Sequence, residues 1–144
     1  IKNNWLYTGD IGELDEDNHL IITDRKKDII VTSGGDNIAP QKIENMFTSS
    51  NLISQAIIFG DNKPFLIALI FINDDYSKKN GINNEIDKCL KKINEKLSST
   101  EKIRKYILIN QELTQKSGFL TPTMKIKRKK VYEKYKKDIE SFYN

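Results

Sequence analysis

Cysteine is almost missing from this chain: Cys89 stands alone among 144 residues. A single thiol excludes an intrachain disulfide and a cysteine metal cluster. Cys89 borders a helical apolar stripe and reads as inert packing. Histidine is as scarce. His19 sits in a hairpin-strand pattern with no second triad member nearby, which argues against a serine or cysteine triad and against zinc. The longest apolar run, Phe65 to Ile72, falls far short of the roughly 18 to 20 residues that cross a bilayer. No Gly-x-x-x-x-Gly-Lys-Ser/Thr phosphate loop occurs, and the first residues lack the charged-then-apolar order of a signal peptide.

What is present suits one ordinary core with a short appendage, at 38% hydrophobic and 31% charged residues. The net charge of +4 is compatible with anionic ligands such as nucleotides, although solvated lysine-rich faces are the preferred reading. Lys125, Lys127, Arg128, Lys129 and Lys130 form a dense basic cluster. It comes without an aromatic stacking motif, zinc-ligand spacing or helix-turn-helix pattern, so nucleic acid is not the expected partner. A noncatalytic phosphate-binding module remains an open alternative.

Along the chain, Gly12 to Leu14 and His19 to Ile22 flank the turn-forming Asp15-Glu-Asp-Asn18 and predict a β-hairpin. Asp24 to Lys27 is a charged break and the best candidate for a domain boundary. Asp28 to Val31 then predicts a short strand ended by Ser33-Gly34-Gly35. Pro40 fits the first position of a helix whose inner face carries Ile43, Met46 and Phe47. Ala56 to Phe59 and Phe65 to Ile72 predict paired antiparallel strands around the turn Gly60 to Pro64. Ile86, Leu90, Ile93 and Leu97 recur at helical spacing. Tyr106 to Ile109 predicts another strand, Gln111 to Thr123 a polar loop, and Val131, Tyr135, Ile139 and Phe142 a last helix from about Lys129. The expected fold is α+β (α/β): a small mixed β-sheet flanked by helices and preceded by a β-hairpin.

Three places can carry chemistry. In Tyr7-Thr8-Gly9-Asp10 the glycine permits a tight turn, and the carboxylate beyond it can accept two hydrogen bonds from a vicinal diol. The guanidinium of Arg25 can bridge ribose and phosphate oxygens with fixed geometry. An ammonium in Leu120-Thr-Pro-Thr-Met-Lys-Ile-Lys-Arg-Lys129 can offset developing negative charge. Taken singly, the first two motifs are ordinary surface turns.

Their order is more telling. Trp5 to Asp10, Asp24 to Asp28, Ser33 to Glu44 and Leu120 to Lys129 together resemble the carboxyl-terminal portion of the adenylate-forming enzymes, which include acyl-CoA synthetases and peptide-synthetase adenylation domains. Met124 stands where the wider superfamily commonly has glycine. That form, with Asn37-Ile-Ala-Pro-Gln-Lys-Ile-Glu44, resembles the long-chain fatty acyl-CoA synthetases.

The resemblance implies a tail segment of a larger AMP-forming ligase: residues 1–26 as a strip of the amino-terminal domain and 27–144 as the mobile carboxyl-terminal domain. It implies ATP, CoA and Mg²⁺, the last with no ligands in this segment, a fatty acid substrate, and the missing amino-terminal domain as partner. Medium-chain or aryl acid ligases are the alternative within the superfamily. By the same resemblance Asp10 and Arg25 hold the nucleotide and Lys27 is the pivot between domains. Gly34 and Gly35 lie where the pantetheine arm of CoA passes, and Lys125 is the adenylation lysine, with Lys127 as the alternative register. An intracellular location follows, cytoplasmic or on the cytoplasmic face of a membrane such as the endoplasmic reticulum, compatible with peripheral association of the full enzyme.

Overall fold

The apolar run at 65–72 becomes the middle of a three-stranded sheet. The computed structural model describes residues 3–76, 80–111 and 113–144. Strand β6, Leu66–Ile72, is buried along its whole length because both of its faces are covered. It pairs antiparallel with β5, Ile53–Phe59, and parallel with β7, Ile103–Ile109. Both neighbours start three residues earlier than the sequence pattern predicts. Ladder pairing carries β5 back to Ile53, opposite Ile72, and β7 back to Ile103, opposite Leu66.

Side-chain alternation sorts the sheet into two faces. Ala56, Ile58, Leu66, Ala68 and Ile70 pack with Ile43 and Phe47 of α1, Pro40–Phe47, and with Ile86 and Ile93 of α2, Ile82–Asn94. Ile57, Phe59, Ile67, Leu69 and Phe71 pack with Val131 and Ile139 of α3, Arg128–Ser141. Because α2 links β6 to β7, it supplies the crossover that a parallel pair needs. Leu97, assigned by spacing to this helix, lies beyond its end yet joins the same core. The mixed α+β class is as expected.

Two small hairpins precede the sheet. The first pairs β1, Asp10–Leu14, with β2, Leu20–Arg25. Strand β2 runs three residues beyond the expected end at Ile22, absorbing half of the charged break, because Asp24 and Arg25 still have partners across the ladder. The second, β3 (Ile30–Val31) with β4 (Asn37–Ile38), has no signal in the sequence for its return strand. It is tied to the turn between β5 and β6, where Asn62 N–H donates to Val31 O at 2.8 Å and Ser33 N–H to Lys63 O at 3.0 Å. Among the described residues no helix is long and apolar enough to cross a membrane.

Candidate functional site

Antiparallel register brings the first two candidate residues face to face. Asp10 opens β1 opposite Arg25 at the end of β2, and Arg25 Nε lies 3.1 Å from Asp10 Oδ1. Gly9 takes φ +77°, a left-handed conformation that glycine adopts without the steric penalty of a side chain, and so turns the chain into the strand. The Asp10 N–H donates to Thr8 Oγ1 at 3.2 Å, so Thr-Gly-Asp is a hydrogen-bonded turn presenting its carboxylate.

Beyond Arg25 the chain makes a tight turn, with Asp28 N–H donating to Arg25 O at 2.9 Å, and Lys27 is exposed on it. A cleft of about 730 Å³ opens here between the hairpin, α1 and the loop at 121–126. Asp10, Arg25, Lys27 and Lys125 all line it. Lys125 is carried on a narrow loop closed by the Leu120–Ile126 bridge, with Thr121 N–H donating to Lys125 O at 2.8 Å. Met124, just before it, holds φ +62°, the conformation a glycine would adopt at no cost.

Three charged residues to which the sequence pattern assigns no individual role hold this arrangement. Glu44, only 5% exposed, receives a two-pronged contact from Arg128: Nη1 to Oε1 at 2.7 Å and Nη2 to Oε2 at 3.0 Å. Glu44 Oε1 also accepts the Ile58 N–H at 2.8 Å, and Arg128 Nη1 donates to Ile58 O at 2.9 Å. Such complete satisfaction offsets the cost of taking the Glu44 carboxylate, and part of Arg128, out of water. The third residue, Asp24, is 7% exposed and accepts the Gln41 N–H at the start of α1 at 3.1 Å. Both Asp24 and Glu44 lie inside motifs legible in the sequence, but their partners are 17 and 84 positions away and no spacing rule reaches that far.

The comparisons with known proteins bear on this geometry. Residues 27–144 match the model of the AMP-binding enzyme C-terminal domain. The chain belongs to that family.

The long-chain-fatty-acid–CoA ligase FadD15 of Mycobacterium tuberculosis is 44% identical over 161 aligned positions, covering 99% of this chain and 27% of that protein. Long-chain-fatty-acid–CoA ligase 6 of Mus musculus is 32% identical, covering 99% of this chain and 23% of that protein. The chain therefore spans about a quarter of the length of these curated relatives. Among solved structures, the adenylation domain of a carboxylate reductase from Mycobacterium chelonae superposes with a TM-score of 0.80 at 26% identity, covering 94% of this chain and 22% of that one. The A-PCP didomain of a carboxylic acid reductase from Segniliparus rugosus, solved with AMP, gives 0.79 at 26% identity, covering 94% and 20%.

In this AMP-binding C-terminal domain the remaining candidates lie away from the cleft. Gly34 and Gly35 form the exposed turn between β3 and β4, closed by Gly35 N–H donating to Thr32 O at 2.9 Å. Gly35 has φ +87° with open space around it, whereas a side chain on Gly34 would come within 3.3 Å of Asp36 Oδ2. Lys127 is the N-cap of α3 and does not line the cleft. An extended chain would point Lys125 and Lys127 the same way, but left-handed Met124 and the start of the helix interrupt the extension. The basic cluster is also smaller at the surface than its sequence suggests, since Arg128 turns inward to Glu44.

Among the described residues no three His, Cys, Asp or Glu side chains gather as a metal site. A nucleotide does fit the donor set of the cleft, which offers a carboxylate for hydroxyls and cations for phosphate oxygens.

Proposed function

We propose that this chain is the carboxyl-terminal part of an AMP-forming long-chain fatty acid–CoA ligase, with residues 1–26 a strip of the amino-terminal adenylation domain and 27–144 the mobile domain. The observation that carries the reading is one cleft lined by Asp10, Arg25 and Lys125, residues separated by up to 115 positions in the chain. The 44% identity to a long-chain-fatty-acid–CoA ligase supports the substrate class.

ATP supplies the electrophilic α-phosphorus and a pyrophosphate leaving group. The Asp10 carboxylate accepts hydrogen bonds from the vicinal hydroxyls of the ribose, and Arg25, beside it, donates to ribose and phosphate oxygens. Lys125 brings an ammonium between the fatty acid carboxylate and the α-phosphate oxygens, where it offsets the charge that develops as pyrophosphate departs. The product of this half-reaction is the acyl-adenylate. Rotation about Lys27 then withdraws Lys125 and brings the face bearing Gly34 and Gly35 toward CoA, whose thiol displaces AMP. Mg²⁺ accompanies the nucleotide, and no step is assigned to it from this segment.

The test is acid-dependent ATP–pyrophosphate exchange by the full-length enzyme and its Lys125→Ala form, with thioester formation from preformed acyl-adenylate assayed separately. Exchange should fall by roughly 10² to 10³ while thioester formation survives. Unchanged exchange would move the role to Lys127. Substantial acyl-CoA formation by the 144 residues alone would overturn the assignment as a dependent tail, and a preference for short or aromatic acids would overturn the substrate class.

A further inference from the structure

One partly buried hydrogen bond spans the proposed pivot. Asp24 lies three residues before Lys27 on β2, and Gln41 lies beyond it in the first turn of α1. Asp24 Oδ2 accepts the Gln41 N–H at 3.1 Å, and its other oxygen accepts the Arg25 N–H at 2.6 Å. Helix α1 needs such a partner. Its N-cap is Ala39, which has no side-chain oxygen to satisfy the first-turn N–H groups. A carboxylate at that end is also favoured by the helix dipole. An aspartate from the far side of the pivot thus does the work of the missing cap.

The consequences reach the lysine loop. Four residues along α1 from Pro40, Glu44 grips Arg128, which follows Lys125 by three residues. Contacts therefore run without interruption from the Asp10–Arg25 pair, through Asp24 and α1, to the base of the loop that carries Lys125.

We propose that Asp24 is a positioning residue: its bond to α1 holds the domain in the orientation where Lys125 faces Asp10 and Arg25. Rotation about Lys27 must break that bond. The inference rests on the adenylation reading above and adds a residue that favours the first half-reaction over the second.

The test uses full-length enzyme as wild type, Asp24→Ala and Asp24→Asn. Arg25, Lys26 and Lys27 are exposed on a hydrogen-bonded turn, so tryptic nicking there reports opening of the backbone at the pivot, because cleavage follows the population of the opened form. Nicking should be about tenfold faster in Asp24→Ala, the scale of one charge-assisted hydrogen bond. The turnover of ATP–pyrophosphate exchange should fall about tenfold with the KM for ATP little changed, while thioester formation from preformed acyl-adenylate is retained or faster. Asp24→Asn keeps an acceptor oxygen without the charge and should fall between.

Unchanged nicking in Asp24→Ala would overturn the latch whatever the reaction. Faster nicking with equal losses in both half-reactions would reduce Asp24 to a structural contact and overturn its positioning role. Absence of exchange in the wild type would instead overturn the adenylation reading and the catalytic part of the proposal with it.

Discussion

Two stretches of nearly the same composition meet opposite fates in this molecule. Leu20-Ile21-Ile22 in β2 are exposed, together with Trp5, Tyr7 and Leu14, whereas Leu66 to Ile70 in β6 are fully buried. Both are rich in leucine and isoleucine, and both pair in antiparallel ladders. What differs is the number of covered faces. Strand β6 lies between two hydrophobic clusters, while the hairpin is held by its own ladder and by polar contacts such as the Asp10–Arg25 pair and the Asp24 bond to α1. Hydrophobicity therefore marks a residue that can be buried; this segment supplies the cover for β6, whereas under the proposed function the apolar residues of the hairpin would meet the amino-terminal domain.

That contrast can be broken most forcefully in the sheet. Phe71→Ala should cost about 4 kcal/mol in the 144-residue chain, through lost burial and a cavity, whereas Ile22→Ala in the hairpin should cost about 0.5 kcal/mol or less. Denaturant titration checks both, and equal effects would mean that the hairpin is as well packed as the sheet. Next in size, Arg128→Met leaves the Glu44 carboxylate buried without its partner and should cost about 3 kcal/mol. Replacing Glu44 and Arg128 together by apolar residues should recover most of that loss.

A smaller effect sharpens the picture of the lysine loop. Met124→Gly removes a left-handed non-glycine residue and should stabilise the chain by up to about 1 kcal/mol, measured as a shift in the denaturation midpoint. Loss of stability would mean that the Met124 side chain, against Gln115 Nε2 at 3.2 Å, matters more than its backbone strain.

The smallest expected effect is electrostatic. A hydrogen bond from Lys63, and then one from Tyr132, holds the Glu140 carboxyl below its usual range. A depressed carboxylate contributes stability that is complete above the unfolded value, about 4.3, and is lost as pH falls through the folded value. The melting temperature of the wild type should therefore drop more steeply than that of Glu140→Gln as pH is lowered from about 5 to 3. Parallel curves would leave the Lys63–Glu140 contact without energetic weight.

Much of the architecture is legible locally. Pro40 opens α1 as its missing N–H allows, the apolar runs at 56–59 and 65–72 specify a buried hairpin, and the helical spacing of Ile86, Leu90 and Ile93 and of Val131, Tyr135 and Ile139 specifies two amphipathic helices. Asp10, Arg25 and Lys125 are legible as candidates because they stand in motifs whose order is informative. Strand β4 is not legible, since two residues carry no periodicity and its pairing depends on the Thr32–Asp36 turn closing against the neighbouring loop. The ends of β2, β5 and β7 are also misjudged from pattern alone, because a ladder partner extends each strand beyond its apolar segment.

The sequence by itself determined where the helices and the longer strands lie, which faces are apolar and which charged residues are available for chemistry. All of these follow from interactions between residues a few positions apart. Only the tertiary structure decided that Asp10, Arg25 and Lys125 share a cleft, that Lys127 does not, and that Asp24 and Glu44 are supports rather than surface charges. Such pairings join residues 15 to 115 positions apart. The buried ones, at Asp24 and Glu44, are fixed by the fold because burial excludes water and each polar group must find a partner inside it.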